Sequence, residues 1–260
     1  MFDTIIIGPT KVGKTALIAS LQQAANLVSL DSMEVEIDVL AKNDITRKLF
    51  TKALDIVQKG EVPFAGTSVA EAYDFTMTVE IEKTGLSGFL SNLFSGGTSQ
   101  GRFQFLDSPG GAVFDDAKQP QARKSSAPEF QAIVKLMMEA EGLIVCVNAC
   151  DFSAGNERLK EIRDFYTQSF QFLLTHGFET SIPFERICFV LTKSDLWAEQ
   201  EGRGADAEAF LAGQDPVAVA RKIIGAKSLD TLGVFLKDRV EVGFVFTSVY
   251  GFDGGGVHSG

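Results

Sequence analysis

Apolar residues along this chain recur in two rhythms, and the two sort into strands and helices before any motif is considered. Short, mostly apolar runs, at 5–7, 143–149, 187–191 and 240–246, read as strands buried on both faces, because a strand with one wet face alternates instead. Alternation does occur once at length. Phe75, Met77, Val79 and Ile81 interleave with Thr76, Thr78, Glu80 and Glu82, which predicts a half-exposed strand over 73–83 at a sheet edge. Helical spacing of Ile45, Leu49, Ala53, Ile56 and Val57 predicts a helix from Asp44 to Lys59, with Asp44 as N-cap and Gly60 as its end. Further helices are predicted over 16–25, 128–140, 156–176 and 216–236, an extended stretch over 33–39 and a strand over 102–106. Continuous apolar strands separated by helices imply an α/β fold, a mainly parallel sheet covered on both faces in three α/β/α layers.

The first strand feeds directly into Gly8-Pro9-Thr10-Lys11-Val12-Gly13-Lys14-Thr15, and Ala16 opens the helix that follows. This is a complete G-x-x-x-x-G-K-[ST] phosphate-binding loop between the strand and helix it requires, since successive backbone N–H groups must wrap an anion at a helix N-terminus. Gly8 and Gly13 permit the tight turn and close approach of backbone to phosphate, Lys14 is placed to reach the outer phosphates, and the Thr15 hydroxyl is a magnesium ligand. Nucleotide binding is the expectation.

Bulk properties narrow the class without changing it. A chain of 260 residues suffices for one large α/β domain, and no repeat or low-complexity linker divides it. Its net charge of −10 argues against a broad nucleic-acid or anionic-membrane footprint. Cys146, Cys150 and Cys188 sit in or beside apolar runs, with no His and Cys set to complete a tetrahedral zinc site, so reduced thiols and a cytoplasmic location are expected. No secretory leader is visible and the apolar runs are far short of a membrane span.

Two later motifs choose the nucleotide. The strand over 102–106 ends at Asp107, where a phosphate-binding-loop protein places the carboxylate that holds magnesium through water, and Asp107-Ser108-Pro109-Gly110 gives Asp-x-x-Gly, whose glycine amide can approach a terminal phosphate. Further on, the strand Ile187-Cys188-Phe189-Val190-Leu191 ends in Thr192-Lys193-Ser194-Asp195. With the three motifs in this order, the chain resembles the translation-factor-related, Ras-like class of P-loop GTPases, and the enlarged region ahead of Asp107 suggests stand-alone bacterial members. The resemblance covers about residues 1–249 and rests on some twenty of them.

That resemblance implies a Ras-like P-loop fold with one antiparallel edge strand, GTP/GDP and Mg2+ as ligands, and GTP hydrolysis. Asp195 would accept from guanine N1 and N2, a donor pair that adenine lacks. Lys193 would pack its stem over the ring, while Ser248, with Thr247, would lie against the base. The phosphates would be held by Gly8, Pro9, Thr10, Lys11, Val12, Gly13, Lys14, Thr15 and Ala16, with Asp107 and Gly110 reporting the third phosphate. For magnesium the set is Thr15, Asp107 and Thr67, the switch-threonine candidate, with Thr76 as runner-up. The catalytic set is Lys14, Lys11, Thr67 and Gly110.

Departures from that pattern shape the expected function. Ras-like members carry a water-orienting glutamine after the Asp-x-x-Gly glycine, whereas this chain has Gly111, which implies slow hydrolysis. Lys11, Arg123 and Lys124 are candidates to supply positive charge instead. The polar stretch 117–126 is expected to form a mobile second switch, and 84–101 a Gly/Ser-rich insertion in one GTPase domain spanning 1–260. Within that insertion Leu86, Phe89, Leu90, Leu93 and Phe94 share a helical face that either folds back on the sheet or docks a partner or second protomer, so a nucleotide-dependent homodimer is one expectation. The glycine-rich 250–260 leaves no helix after the guanine loop, so either the helices over 216–236 close that face or the chain belongs to a longer polypeptide. A molecular switch or assembly regulator with a protein effector or GTPase-activating partner is the leading reading. An ATP-using ATPase or small-molecule kinase, and a non-hydrolysing nucleotide-binding module, are the alternatives.

Overall fold

A computed structural model describes residues 4–9, 11–24, 29–30, 33–59, 71–82, 98–107, 140–177, 184–235 and 240–248. Among these, eight strands form two four-stranded sheets: β1 (Thr4–Ile7), β6 (Gly142–Asn148), β7 (Arg186–Thr192) and β8 (Glu241–Phe246) in one, and β2 (Ser29–Leu30), β3 (Met33–Ala41), β4 (Glu71–Glu82) and β5 (Thr98–Asp107) in the other. All pairings in the first are parallel, in the order β1-β6-β7-β8, and all in the second antiparallel, in the order β2-β3-β4-β5. The sheets meet where β5 runs beside β1.

The apolar runs are buried on both sides for the reason the sequence suggests. On one face Ile5, Ile7, Leu143, Val145, Val147, Ile187, Phe189 and Leu191 pack against α3 (Asn156–Gly177) and α6 (Pro216–Ile224), with Leu232 of α7 (Ala226–Phe235) beside them. On the other, Ile6 and Cys146 join Ile18 and Ala19 of α1 (Lys14–Ala24), Leu49, Phe50 and Ala53 of α2 (Asp44–Lys59), and Tyr73 and Phe75 of β4. Neighbours in sequence therefore face opposite helix layers, giving the expected three-layer α/β/α architecture. Each fully buried Ile or Phe contributes about 1.5–3 kcal/mol relative to an exposed one.

Several local expectations change. The antiparallel part is larger than one edge strand: β4 lies between β3 and β5, so its alternation marks an interior antiparallel strand with unequal faces. Asn43, not Asp44, caps α2, because its Oδ1 accepts from the Thr46 amide (2.8 Å) while Asp44 sits in the first turn and pairs with Arg47. The helix expected over 216–236 is two, broken at Gly225 (φ 96°), and α6 begins as the sequence would wish, with Asp215 accepting from Val217 N and Pro216 in the first turn. Two short helices, α4 (Ser194–Gln200) and α5 (Ala207–Ala212), follow β7. The strand expected over 102–106 starts earlier, at Thr98, inside the Gly/Ser-rich stretch. The helix expected over 128–140, but for Ala140, the second switch over 117–126 and the amphipathic stretch 86–94 lie outside the described residues.

Candidate functional site

Parallel pairing puts the carboxyl ends of four strands on one edge, and the register makes them level. Ile7 pairs with Val145, Asn148 with Thr192 and Leu191 with Phe246, so the loops after β1, β6, β7 and β8 all leave from the same side. That edge is where open α/β sheets bind ligands.

The loop after β1 is held tightly. Val12 is buried and its amide donates to the Pro9 carbonyl (3.4 Å). Gly13 takes φ 104°, and its carbonyl accepts from the Leu17 amide (2.8 Å) to start α1. The Lys14 side chain is 6% exposed, and its ammonium donates to the carbonyls of Gly8 (2.9 Å) and Pro9 (3.0 Å), which places it across the mouth of the loop. A Cβ on Gly8 would come within 2.8 Å of the Cys146 carbonyl oxygen and 2.9 Å of Val12 Cγ1, so the first loop residue has no room for a side chain. Thr15 and Ala16 are half-buried in the first turn of α1, and Lys11 is exposed with φ 62°.

The turn after β7 is tied to this loop. Thr192 is fully buried, and its hydroxyl donates to the Val12 carbonyl and lies 3.2 Å from that of Val147. Lys193, in the left-handed conformation (φ 57°, ψ 35°), sends its ammonium to the Lys11 carbonyl (2.8 Å). Asp195 follows in the first turn of α4, half-buried. The segment after β8 closes the turn from the other side: the Ser194 amide donates to the Thr247 carbonyl (3.2 Å) and the Thr247 amide to the Leu191 carbonyl (2.9 Å), which brings Ser248 in beside it.

The structure thus gathers Gly8, Pro9, Lys11, Val12, Gly13, Lys14, Thr15, Ala16, Thr192, Lys193, Asp195 and Ser248 around one edge. Asp107 is the last residue of β5, opposite Glu71 of β4, on the strand that runs beside β1. Thr76, the runner-up switch residue, sits within β4 and pairs with Leu40 and Arg102. Thr10, Thr67, Gly110, Gly111, Arg123 and Lys124 lie outside the described residues. Among the described residues no group of three His, Cys, Asp or Glu side chains could hold a metal, and no helix is long and apolar enough to cross a membrane.

Residues outside the three motifs also shape the site. Val147 and Cys146 present main-chain carbonyls to Thr192 and to the Gly8 turn, and the buried Tyr166 hydroxyl donates to that same Cys146 carbonyl (2.6 Å). Burial pushes the Tyr166 pKa well above its usual 10.0, so it stays a donor. A 3-10 turn, Ala149–Ser153, leads out of β6 with Asn148 Oδ1 accepting from the Cys150 amide (3.2 Å). Burial also raises the Cys150 thiol and the Asp151 carboxyl, the latter against the opposing pull of Arg158 and Lys193. Val147, Asn148 and Cys150 have as their sequence signal a place at the end of an apolar run, whereas Tyr166, inside α3, has none.

No family model matches the chain, and no curated protein matches it. Among solved structures it is similar to the ADP-ribosylation-factor-like GTP-binding protein, the small COPII coat GTPase SAR1, of Encephalitozoon cuniculi in complex with GDP. The likeness covers 96% of this chain and 70% of that one at 12% identity and a TM-score of 0.34.

Proposed function

We propose that this chain binds guanine nucleotides with magnesium, hydrolyses GTP slowly, and works as a molecular switch or assembly regulator within one GTPase domain. The observation that carries this reading is the double tether between the two loops: Thr192 to the Val12 carbonyl and Lys193 to the Lys11 carbonyl. A phosphate loop alone serves any nucleotide. A second loop locked to it, carrying Asp195 two residues after Lys193, supplies a carboxylate held in place relative to the phosphate loop, matched to the paired N1 and N2 donors of guanine.

In this reading the ammonium of Lys14 leaves the Gly8 and Pro9 carbonyls in part to meet the outer phosphates, while the amides of 11–16 take the remaining oxygens. The Thr15 hydroxyl, Asp107 and a switch threonine, for which Thr67 is the candidate, would hold a magnesium ion. A hard cation that binds through few protein oxygens fits this donor set; bound, it would neutralise developing charge between the phosphates. Gly111 orients no water, so hydrolysis is slow unless a partner supplies the missing group; Lys11 is the candidate within the chain. A cytoplasmic location and a protein effector or activating partner belong to the same proposal.

Binding of fluorescent GDP against ADP, with magnesium, tests it directly. GDP is expected to bind at least tenfold tighter, and Asp195→Asn to lose about 1.5–3 kcal/mol of that preference, the worth of hydrogen bonds to a charged group. Equal affinity for the two diphosphates removes the guanine assignment and favours an ATP-using enzyme.

A further inference from the structure

The 3-10 turn Ala149–Ser153 runs alongside α4 and touches it at its start, middle and end. Cys150 Sγ lies 3.6 Å from the Lys193 carbonyl oxygen. The Phe152 ring packs on Trp197 with centroids 5.1 Å apart, and Ser153 Oγ donates to Glu201 Oε1 at 2.6 Å. From the far side the Lys222 ammonium of α6 sits 3.5 Å over the Phe152 ring, backing the turn.

The start of α4 is where such support matters. Lys193 is its N-cap, in a left-handed conformation that only glycine adopts without strain, and no side chain caps the helix there. Its carbonyl has two acceptor positions. One takes the Trp197 amide at 3.0 Å and the other faces the Cys150 thiol. We propose that this turn, through Cys150, is the positioning element for the base-reading segment, holding the Lys193 peptide so that the Lys193 ammonium meets the Lys11 carbonyl and Asp195 faces the base.

The inference rests on the guanine reading and adds to it a residue outside the three motifs. A protonated thiol is required for donation, and burial keeps it so despite the opposing Lys193 charge. Cys150→Ser retains a donor at the same place, whereas Cys150→Val has similar bulk and none.

The test is the ratio of affinities for Mg·GDP and Mg·inosine diphosphate, which differ only by the N2 donor that Asp195 reads, measured on the full chain and both variants. A general loss of structure lowers both affinities together, whereas a misplaced Asp195 changes the ratio. Cys150→Val is expected to lower the ratio about fivefold, the scale of one net hydrogen bond, with Cys150→Ser within about twofold of wild type. In nucleotide-free protein the Trp197 amide is expected to exchange faster in Cys150→Val than in Cys150→Ser. A wild type that discriminates while Cys150→Val keeps its ratio overturns the proposal alone; so does a parallel fall in both affinities with the ratio unchanged. A wild type that binds neither diphosphate removes the guanine reading, and the proposal with it.

Discussion

The parallel and antiparallel sheets, the two halves of the strand layer, reach one architecture by different means, and the difference decides where the site can be precise. In the parallel half every strand runs the same way, so four carboxyl ends arrive level at one edge and the motif residues stand within a few positions of a strand end. Backbone register does the placing. In the antiparallel half the ends alternate: the edge that holds Ala41 and Asp107 holds the beginning of β4 at Glu71. There the connections are fixed by side chains and single main-chain bonds instead. The Lys42 amide donates to the Asp74 carbonyl (2.8 Å), and the Asp74 amide donates to the fully buried Thr46 hydroxyl (2.8 Å), which clamps the start of α2 to the start of β4.

The sharpest way to break this contrast is to cut a hole in each half. Trp197 packs among Phe152, Phe210 and Phe246 beneath the turn after β7, and Phe75 packs between Phe50 and Phe103 on β4. Truncating either to Ala is expected to cost about 3–5 kcal/mol, read from urea midpoints. Measured where both variants remain folded, GDP affinity should fall further for Trp197→Ala than for Phe75→Ala. An equal fall would mean that the antiparallel half positions the site as firmly as the parallel half does.

Gly8→Ala sharpens the claim that register and close approach place the phosphate loop. The new methyl meets the Cys146 carbonyl and Val12, so a loss of about 1–3 kcal/mol from overpacking is expected, together with weaker binding of any nucleoside triphosphate. Wild-type thermal stability and affinity would show that the loop relaxes freely.

The smallest effect is electrostatic. Asp151 in the 3-10 turn has its pKa raised above 3.8 by desolvation, which outweighs the attraction of Arg158 and Lys193. The fold therefore prefers the neutral acid, and the penalty is absent below 3.8 and grows as pH rises through the raised value. Asp151→Asn is expected to raise the unfolding midpoint slightly at pH 7 and to leave it unchanged near pH 3. A loss of stability at pH 7 would instead assign the greater weight to the pair with Arg158.

The same contrast explains what could be seen in the chain beforehand. Strands buried on both faces announce themselves as runs such as Ile5-Ile6-Ile7 and 187–191, and the loops that leave them carry their motifs in a few adjacent residues. The antiparallel half was harder to read, since alternation in β4 is equally a sign of an edge or an interior strand. Thr98–Gln100 is hidden in glycine- and serine-rich sequence and pairs with Thr78, Val79 and Glu80 of β4. At the start of α2, Asn43 and Asp44 are equally good cap residues by type, and the bond from the Thr46 amide to Asn43 decides between them. Helices α4 and α5, with seven and six residues, are too short for periodicity to show and stand on tertiary packing around Trp197. The thiol of Cys150 and the carbonyl of Val147 belong to no motif and show only as the end of an apolar run.

Lys11 and Lys193 are the two described non-glycine residues with positive φ, and they are joined by a hydrogen bond. A left-handed conformation costs an L-residue about 1–2 kcal/mol, so at both positions glycine would suit the backbone better. Glycine at 193 would remove the ammonium that holds the two loops together. Engineering for thermal resistance would find these two sites early and be misled by them, because the substitution that relaxes the chain at Lys193 is the one that uncouples the phosphate loop from the turn after β7.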